Sequence, residues 1–298
     1  MILDKIEKDF SLNSGEVKSF ISSAPNRYKV YSIKKRHGGT REIAEPTKSL
    51  KILQVWAVKN FLAKAEIHSS AIAYRKNKNI KDFASPHVNN KYMLKLDFNN
   101  FFNSIKEIDF KIFCKERLPE LEDKTIDILA KILFCKDKKN KELYLSIGAP
   151  SSPFISNIIM FEFDEKISYF CNKNKIIYTR YADDLAFSTS APNKLKLLIP
   201  KIKDICSTLN FPRNLKLNEE KTIFTSHKYN RTLTGLVLSN EGRISIGRKK
   251  KRILRAEAHK AGLGLLDDEK LEKLQGKVAF LMSIDPQFAE LLKKKANL

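Results

Sequence analysis

IIYTRYADDLAFSTS, residues 176–190, is the stretch of this sequence that decides the expected fold. Its two ends are rich in β-branched and aromatic residues, which favour β-strands. Ala182-Asp183-Asp184 separates them, so the stretch predicts a β-hairpin with two carboxylates at its tip. Aspartate is also a common turn residue with no chemical role, and the rest of the sequence has to distinguish the two interpretations.

A third carboxylate is expected beside this hairpin. The segment YMLKLDF, residues 92–98, alternates as a strand does and places Asp97 at the strand's end, on the face opposite Leu94 and Leu96. Three carboxylates at neighbouring strand ends repel one another unless a divalent cation bridges them. Phosphoryl transfer commonly uses two Mg²⁺ ions, about 3.5–4 Å apart, with hard oxygen ligands. The aspartates therefore predict a site for two Mg²⁺ ions.

The charge of the chain indicates a polyanionic partner. Its 298 residues include 56 Lys and Arg against 34 Asp and Glu, a formal net charge of +22, and 42% are hydrophobic, enough for a sizeable core. Such a surplus opposes compaction unless a partner neutralises it, and nucleic acid is the commonest such partner. A solvated, highly charged surface is the alternative. No P-loop or G-x-G-x-x-G motif precedes a helix, so an ATPase or a dinucleotide-binding protein has no support.

The cysteines and the hydropathy both favour a cytoplasmic protein. The four cysteines, at positions 114, 135, 171 and 206, lie far apart without a C-x-x-C motif, so we expect buried, reduced thiols rather than a zinc site. No window approaches the roughly 18 uninterrupted apolar residues of a membrane span. We therefore expect no membrane partner and a cytoplasmic location.

Helices and one further hairpin are predicted before the first strand of this set. Residues 2–23 are typical of short amphipathic helices with Ser14 as an N-cap. The runs YKVYSIKK and REIAEP flank a glycine turn, which predicts a basic hairpin carrying Lys34, Lys35 and Arg41.

Further elements are predicted in the second half of the chain and just before it. Residues 106–135 are helical in pattern. Pro153 is expected in the first position of a helix that Ser152 caps and that runs to about Phe170. Residues 232–238 are expected to form one strand.

Five motifs occur in the order and approximate spacing of the reverse transcriptase palm motifs. They are L-D-F-N-N-F-F (96–102), G-A-P-S-S-P-F-I-S-N (148–157), Y-A-D-D (181–184), N-E-E-K-T (218–222) and L-T-G-L-V (233–237). With these motifs the chain resembles the reverse transcriptases over residues 28–240, and within that family it resembles the bacterial retron enzymes. Ala84-Ser85-Pro86-His87 is similar to the A-x-x-H part of a retron motif, with Phe83 in place of the expected asparagine.

The resemblance implies an α+β fold, a right-hand polymerase with fingers, a palm of antiparallel sheet plus helices, and a helical thumb. The expected segments are N-terminal helices and fingers (1–91), the first part of the palm (92–106), the second part of the fingers (107–147), the second part of the palm (148–240) and an RNA-binding thumb (241–298).

The resemblance also implies roles at the centre of the site. Asp97 and Asp183 would ligate both magnesium ions, and Asp184 would assist less directly. Lys221 corresponds to a lysine that protonates the departing pyrophosphate, with an ordinary surface lysine as the alternative. Phe102 corresponds to the bulky gate that crowds the 2′-hydroxyl of a ribonucleotide, with a core aromatic as the alternative.

Further roles concern the nucleotide. Arg41 corresponds to the finger arginine that grips the incoming triphosphate, with Lys34 or Lys35 as a second candidate and a solvated basic hairpin as the alternative. A loop under the nascent base pair would be formed by Gly148, Ala149 and Pro150. Ile147 stands where relatives usually have glutamine, which puts one nucleotide contact in doubt.

RNA contacts are expected from two places. His87 is one candidate, although a lone histidine is more often structural. A basic run could track RNA phosphates from a thumb helix or be merely solvated; it comprises Arg248, Lys249, Lys250, Lys251, Arg252 and Arg255.

The implied activity is RNA-directed DNA synthesis from dNTPs. A cognate structured non-coding RNA would serve as template and, through a guanosine 2′-hydroxyl, as primer, giving an RNA–DNA hybrid and single-stranded DNA in antiphage defence, with a possible effector protein. A mobile-intron reverse transcriptase is the nearest alternative, but those proteins usually continue into a maturase region, and this chain ends at Leu298. An RNA-templated RNA polymerase would more usually show G-D-D and lack an aromatic gate. A catalytically silent RNA-binding scaffold would not need the aspartates.

Overall fold

The chain mixes helices with four antiparallel sheets in a computed structural model that describes residues 2–34 and 38–298. The expected α+β class is therefore confirmed. In the first half, the elements are α1 (Ile2–Phe10), α2 (Ser14–Ser23), β1 (Tyr28–Lys34), β2 (Thr40–Pro46), α3 (Lys48–Ala57), α4 (Ile80–Ala84), β3 (Tyr92–Asp97), α5 (Phe101–Ser104), α6 (Glu107–Arg117), α7 (Asp123–Leu133), β4 (Cys135–Lys136) and β5 (Leu143–Tyr144).

The second half carries the remaining strands and a run of C-terminal helices. These elements are α8 (Ser152–Ile159), α9 (Phe161–Lys173), β6 (Ile177–Tyr181), β7 (Asp184–Thr189), α10 (Leu198–Thr208), β8 (Ile223–Ser226), β9 (Arg231–Leu233), β10 (Leu236–Leu238), β11 (Ile244–Ser245), α11 (Arg248–Gly262), α12 (Asp268–Ile284) and α13 (Pro286–Ala296).

A four-stranded sheet in the order β6-β7-β3-β8 lies at the centre of the fold. Because side chains alternate along a strand, β3 serves two cores at once. Leu94 and Leu96 point into a large core shared with helices α6 to α10. Met93 points into a smaller core completed by α4 and the C-terminal helices. By the same alternation Asp97 lies on the Met93 face, the side of the sheet on which the C-terminal helices stand.

Several local predictions are wrong by small shifts with clear causes. The cap of α2 is Asn13 rather than Ser14, because Asn13 and Glu16 form a reciprocal capping box. The segment 106–135 is broken after α6, where Pro119 follows Leu118 and disfavours a helical conformation there. Its last residue, Cys135, belongs to a strand.

The later elements also differ from the sequence prediction. The helix predicted to begin at Pro153 begins at Ser152, after Ser151, and is interrupted at Met160 before α9 continues to Lys173. The single strand expected over 232–238 is two short strands joined by a tight turn. The two turn residues there, Thr234 and Gly235, have φ of 44° and 82°, a region glycine adopts easily.

Most of the cysteine thiols are buried, as the sequence predicted. All four cysteines are free; Cys114, Cys135 and Cys171 are buried, and Cys206 is half-buried. Among the helices that the structure describes, none combines the length and the apolar character needed to cross a membrane.

Candidate active site

Three aspartates meet at one edge of the central sheet. Asp97, the last residue of β3, is the direct partner of Asp184, the first residue of β7. Asp183 lies in the two-residue turn between β6 and β7, and its carbonyl oxygen accepts a hydrogen bond from the Phe98 amide at 3.2 Å. The sequence placed both hairpin carboxylates at the tip; only Asp183 is in the turn, whereas Asp184 already belongs to the strand.

A buried ion pair holds the turn in place. Ala182 adopts φ of 58°, which is unusual for a residue with a side chain. The guanidinium of Arg180 donates to the Ala182 carbonyl at 3.2 Å and binds the Asp164 carboxylate on α9 at 2.6 and 2.9 Å. The Tyr178 hydroxyl donates to the same carboxylate at 2.7 Å.

Sequence analysis missed this network. Its signal was an arginine inside a strand of β-branched and aromatic residues, because a charge buried at such a position needs a partner. The partner, Asp164, lies on a different element and was not identifiable from the spacing alone.

Crowding makes the carboxylates of the edge hard to ionise together. Burial, followed by the charges of Asp183 and Asp97, raises the pKa of Asp184 to about 6. Burial and the charge of Asp97 also raise the pKa of Asp183. A cation bound at the edge would relieve this repulsion and favour the ionised carboxylates.

Lys221 already supplies one positive charge to this edge. Its Nζ lies 3.0 Å from both carboxylate oxygens of Asp97. The lysine side chain is 56% exposed, whereas that of Asp97 is 12% exposed, so the ammonium approaches from solvent. The Asn218 amide donates to the Asp97 carbonyl at 2.7 Å and fixes the segment that carries Lys221. The structure thus places Lys221 within the site.

The donor chemistry of the edge fits magnesium. Within residues 2–34 and 38–298, no three His, Cys, Asp or Glu side chains converge tightly enough to hold one metal ion between them. Mg²⁺ seldom needs such a cage, because it retains several waters and is usually held by one or two carboxylates together with substrate phosphates. Two or three hard carboxylates crowded at one sheet edge offer that kind of ligand set.

Aromatic rings form one wall of the site. Phe102 is half-buried on the short helix α5 that follows Asp97. Its ring centroid lies 6.4 Å from that of Tyr74, and the Tyr74 ring lies 6.5 Å from that of Tyr181. Phe102 is therefore neither a fully buried core residue nor isolated in solvent. No motif or spacing in the sequence pointed to Tyr74.

The candidate triphosphate-binding residues of the basic hairpin do not all face the same side. Arg41 pairs with Ile33 and Lys34 pairs with Thr40, so Arg41 and Lys34 lie on opposite faces of the two-stranded ribbon. The charge of Arg41 acts to lower the pKa of Asp183 and of Tyr74, which places Arg41 on the side of the aspartates. Lys34 is exposed on the other face. Lys35 lies outside the described residues.

The loop at Gly148 packs against the basic hairpin. Gly148 has φ of 122°, and an added Cβ would stand 3.1 Å from the Ala44 carbonyl oxygen on β2. The Ala44 amide donates to the Ile147 carbonyl at 2.9 Å. Ala149 is buried and Pro150 is exposed. The need for a small residue at Gly148 is thus explained by the close packing of the loop on the basic hairpin.

His87, one of the candidate RNA contacts, has the buried environment of a structural histidine, which was the alternative interpretation. Its side chain is fully buried, and its two ring nitrogens lie 2.7 Å from the hydroxyls of Ser188 and Thr179. Burial lowers the pKa of His87 to about 3, so the ring is neutral. This histidine ties the segment after α4 to strands β6 and β7.

The predicted basic run forms the first turns of α11 and is largely exposed. Solvent reaches Arg248, Lys249, Lys250, Arg252 and Arg255. Lys251 is half-buried and pairs with Asp285 at 2.5 Å. A cavity of about 1490 Å³ separates the start of this helix from the small sheet β9-β10-β11.

Comparisons with known proteins agree with this geometry. The sequence matches the family described as reverse transcriptase (RNA-dependent DNA polymerase) over residues 33–238. Two similar curated proteins come from Escherichia coli. The retron Ec83 reverse transcriptase is 40% identical over 92% of this chain and 88% of its own length. The retron Ec73 reverse transcriptase is 32% identical over 93% of this chain and 89% of its own length.

A solved structure extends the comparison to the fold. Telomerase from Candida tropicalis in complex with a TWJ fragment of telomeric RNA has a TM-score of 0.50 and 15% identity, over 95% of this chain and 61% of that chain. At this identity the similarity concerns the polymerase fold alone.

Proposed function

The chain belongs to the reverse transcriptase family and is a retron-type RNA-directed DNA polymerase, and we propose that it copies part of a cognate structured non-coding RNA into single-stranded DNA. The observation that carries this proposal is the pairing of Asp97 with Asp184 across two strands, with Asp183 in the adjoining turn. Carboxylates held at one sheet edge are what template-directed phosphoryl transfer requires.

In this proposal Asp97 and Asp183 hold two magnesium ions, and Asp184 supports them from the start of β7. The ions, when bound, activate the primer hydroxyl and stabilise charge on the leaving pyrophosphate. The residues of the chain supply position. Arg180 and Asp164 keep the turn from moving, because their ion pair is fully buried and bonded to the turn's backbone.

Lys221 is proposed as the proton donor to the pyrophosphate. Its ammonium lies against Asp97 yet remains more than half exposed, so a phosphate oxygen can reach it. A general acid has to lie within hydrogen-bond reach of the group it protonates. The ion pair with Asp97 helps to meet this condition, because it keeps the Lys221 ammonium beside the proposed metal ligands.

The nucleotide is proposed to bind between the basic hairpin and the aromatic wall. Arg41 grips the triphosphate, since it lies on the aspartate side of the hairpin. Phe102 excludes a 2′-hydroxyl. Gly148, Ala149 and Pro150 form the loop under the nascent base pair, and the close approach of Gly148 to Ala44 sets this loop beside the basic hairpin.

The exposed cations of α11 are proposed to bind the RNA and the RNA–DNA hybrid. Lysine and arginine side chains free of protein partners can displace the counterions of a phosphate backbone. The proposed domain arrangement is that of a right-hand polymerase, with fingers (1–91 and 107–147), palm (92–106 and 148–240) and thumb (241–298). Priming from a guanosine 2′-hydroxyl, a role in antiphage defence and an effector protein complete the proposal. The cytoplasmic location stays a prediction.

A cellular experiment tests this function. The protein is expressed together with several hundred bases of its native upstream sequence, and nucleic acid is extracted and treated with RNase. The proposal expects a short single-stranded DNA with the wild type and none with Asp183→Asn. If the wild type makes no such DNA but extends a primer on generic RNA with Mg²⁺ and dNTPs, the polymerase activity stands and the retron role is wrong.

A further inference from the structure

Tyr74 occupies a position that the proposed mechanism does not use. Its backbone has φ of 62°, a left-handed conformation that costs a residue with a side chain of order 1 kcal/mol. Its ring is 50% exposed although it stands beside the catalytic edge. Strained residues of this kind persist only where the surroundings hold them.

The backbone that leads into this tyrosine, residues 70–73, is fastened to its surroundings by three hydrogen bonds. The Ile72 amide donates to the Arg180 carbonyl, and the Arg180 amide donates to the Ser70 carbonyl, each at 2.8 Å. The buried Asn157 side chain on α8 donates to the carbonyl of the next residue, Ala73, at 2.8 Å. The segment therefore moves with β6, the strand that leads into the aspartate turn, and it fixes where the tyrosine ring stands.

The ring lies between the proposed sugar gate and the hairpin. It is tilted by 55° to the Phe102 ring at a centroid distance of 6.4 Å, and by 40° to the Tyr181 ring at 6.5 Å. Both distances fall within the range of attractive aromatic pairs. The charge of Asp183 also contributes, after burial, to a raised pKa of the Tyr74 phenol. The Tyr74 ring thus contacts the gate and lies near enough to Asp183 for that charge to act on its phenol.

We propose that Tyr74 is a positioning residue for sugar selection, which braces the Phe102 ring against the 2′-hydroxyl of an incoming ribonucleotide. The inference rests on the proposed role of Phe102 as the gate. A steric gate discriminates only if its ring cannot yield, and Phe102 is only half-buried by the core beneath it. The Tyr74 ring supports Phe102 from the side, and the fastened backbone prevents Tyr74 from swinging away.

The experiment compares incorporation of dGTP and GTP by purified protein on one RNA template. Tyr74→Ala should lower the preference for dGTP about three- to tenfold, the size expected for loss of one aromatic contact. The change should come from a higher kcat/KM for GTP, with kcat/KM for dGTP altered less. Tyr74→Phe, which keeps the ring, should retain the preference.

Two further variants locate the effect. Phe102→Ala should also lose the preference, and adding Tyr74→Ala to it should cause no further loss, because the brace acts through the gate. Tyr169→Ala is the matched control, an exposed tyrosine on α9 that is 62% exposed. If Tyr74→Ala does not fold, Tyr74→Asn removes the ring while tolerating the left-handed backbone.

Each contrary result has a distinct meaning. If Phe102→Ala loses the preference and the Tyr74 ring-deletion variant keeps it, the gate stands and the inference about Tyr74 is wrong. If Phe102→Ala keeps the preference, the gate proposal fails, and the brace fails with it. If Tyr74→Phe behaves as Tyr74→Ala, the hydroxyl acts directly on the nucleotide and the bracing role is overturned.

Discussion

The aspartate edge of the central sheet and the basic helix α11 are both densely charged, but they hold their charges in opposite ways. At the edge, Asp97 is paired with Lys221, and the turn beside it is bonded to the buried Arg180–Asp164 pair. On the helix, Arg248, Lys249 and Arg252 are exposed, and within residues 2–34 and 38–298 their side chains make no hydrogen bond or ion pair.

The difference shows what each region can do. Chemistry at a reacting bond requires fixed geometry, and fixed geometry requires that polar groups be bonded to the protein. Cations without a protein partner bind a phosphate backbone more favourably, because no ion pair within the protein has to be broken first. Single substitutions at the edge should therefore cause large losses of activity or stability. Single substitutions on the helix should weaken RNA binding slightly and in a salt-dependent way.

The largest effect is expected at Asp97. Asp97→Asn removes one carboxylate charge from the proposed metal ligands, so DNA synthesis should fall by roughly a thousandfold or more, as several kcal/mol of charge stabilisation is lost. Primer extension by purified protein measures this loss. Asp123→Asn is the control, because that side chain is 73% exposed and lies on α7. Near-normal synthesis by Asp97→Asn would remove this residue from the site.

A smaller but clear effect should follow from breaking the buried pair. Arg180→Met leaves the Asp164 carboxylate buried and uncompensated, which should lower the free energy of unfolding by about 3–5 kcal/mol. Urea denaturation measures the change. The double variant Arg180→Met/Asp164→Asn should recover part of the loss, since the stranded charge is gone. A single variant as stable as the wild type would show that the pair does not fix the turn.

Burial of His87 makes the free energy of unfolding depend on pH, whereas the exposed histidine of α11 should not contribute. Burial lowers the pKa of His87 from its ordinary 6.5 to about 3. Between these pH values the unfolded chain binds a proton at this histidine and the folded chain does not. Stability from this group is complete above pH 6.5 and decreases as pH falls toward 3, by about 2 kcal/mol at pH 5.

Denaturation at pH 7.5 and pH 5 measures this term by comparing variants. His87→Gln should lose less stability than the wild type on acidification. His259→Gln, on the exposed surface of α11, should follow the wild type. An equal loss in all three proteins would mean that His87 is not the group that titrates.

The smallest single-site effect is expected on the helix. Arg252→Ala should weaken RNA binding only a few-fold at physiological salt and reduce the slope of log K against log salt by about 1, the loss of one phosphate contact. Fluorescence anisotropy over a salt series measures both quantities. Lys124→Ala, an exposed lysine on α7, is the control. An unchanged slope would mean that Arg252 does not contact phosphate.

Sequence reasoning located the edge because its signals are local. The alternation around Asp97 and the strand pattern around Asp183 each predict a strand end, and the structure brings the two ends together. Tyr74 and the Asp164–Arg180 pair were missed, because they reach the edge through contacts between segments far apart in the chain.

Motif similarity also cannot report burial. His87 occupies a motif position associated with RNA, yet its environment is a closed set of hydroxyls inside the fold. Gly148 also approaches the backbone of Ala44 closely, a contact between distant segments that the motif does not reveal. For the exposed cations of α11 the sequence was sufficient to predict exposure, because a run such as Arg248–Arg252 cannot be buried without partners.

One measurement tests most directly whether the two regions do separate work. RNA binding and DNA synthesis are measured side by side for Asp183→Asn and for the triple variant Arg248→Ala/Lys249→Ala/Arg252→Ala. Asp183→Asn should bind RNA like the wild type and make no DNA. The triple variant should bind RNA weakly yet extend a primer at a near-normal rate once the template is saturating. If Asp183→Asn still makes DNA, or if both proteins lose binding and synthesis together, the division of labour proposed for the two regions is contradicted.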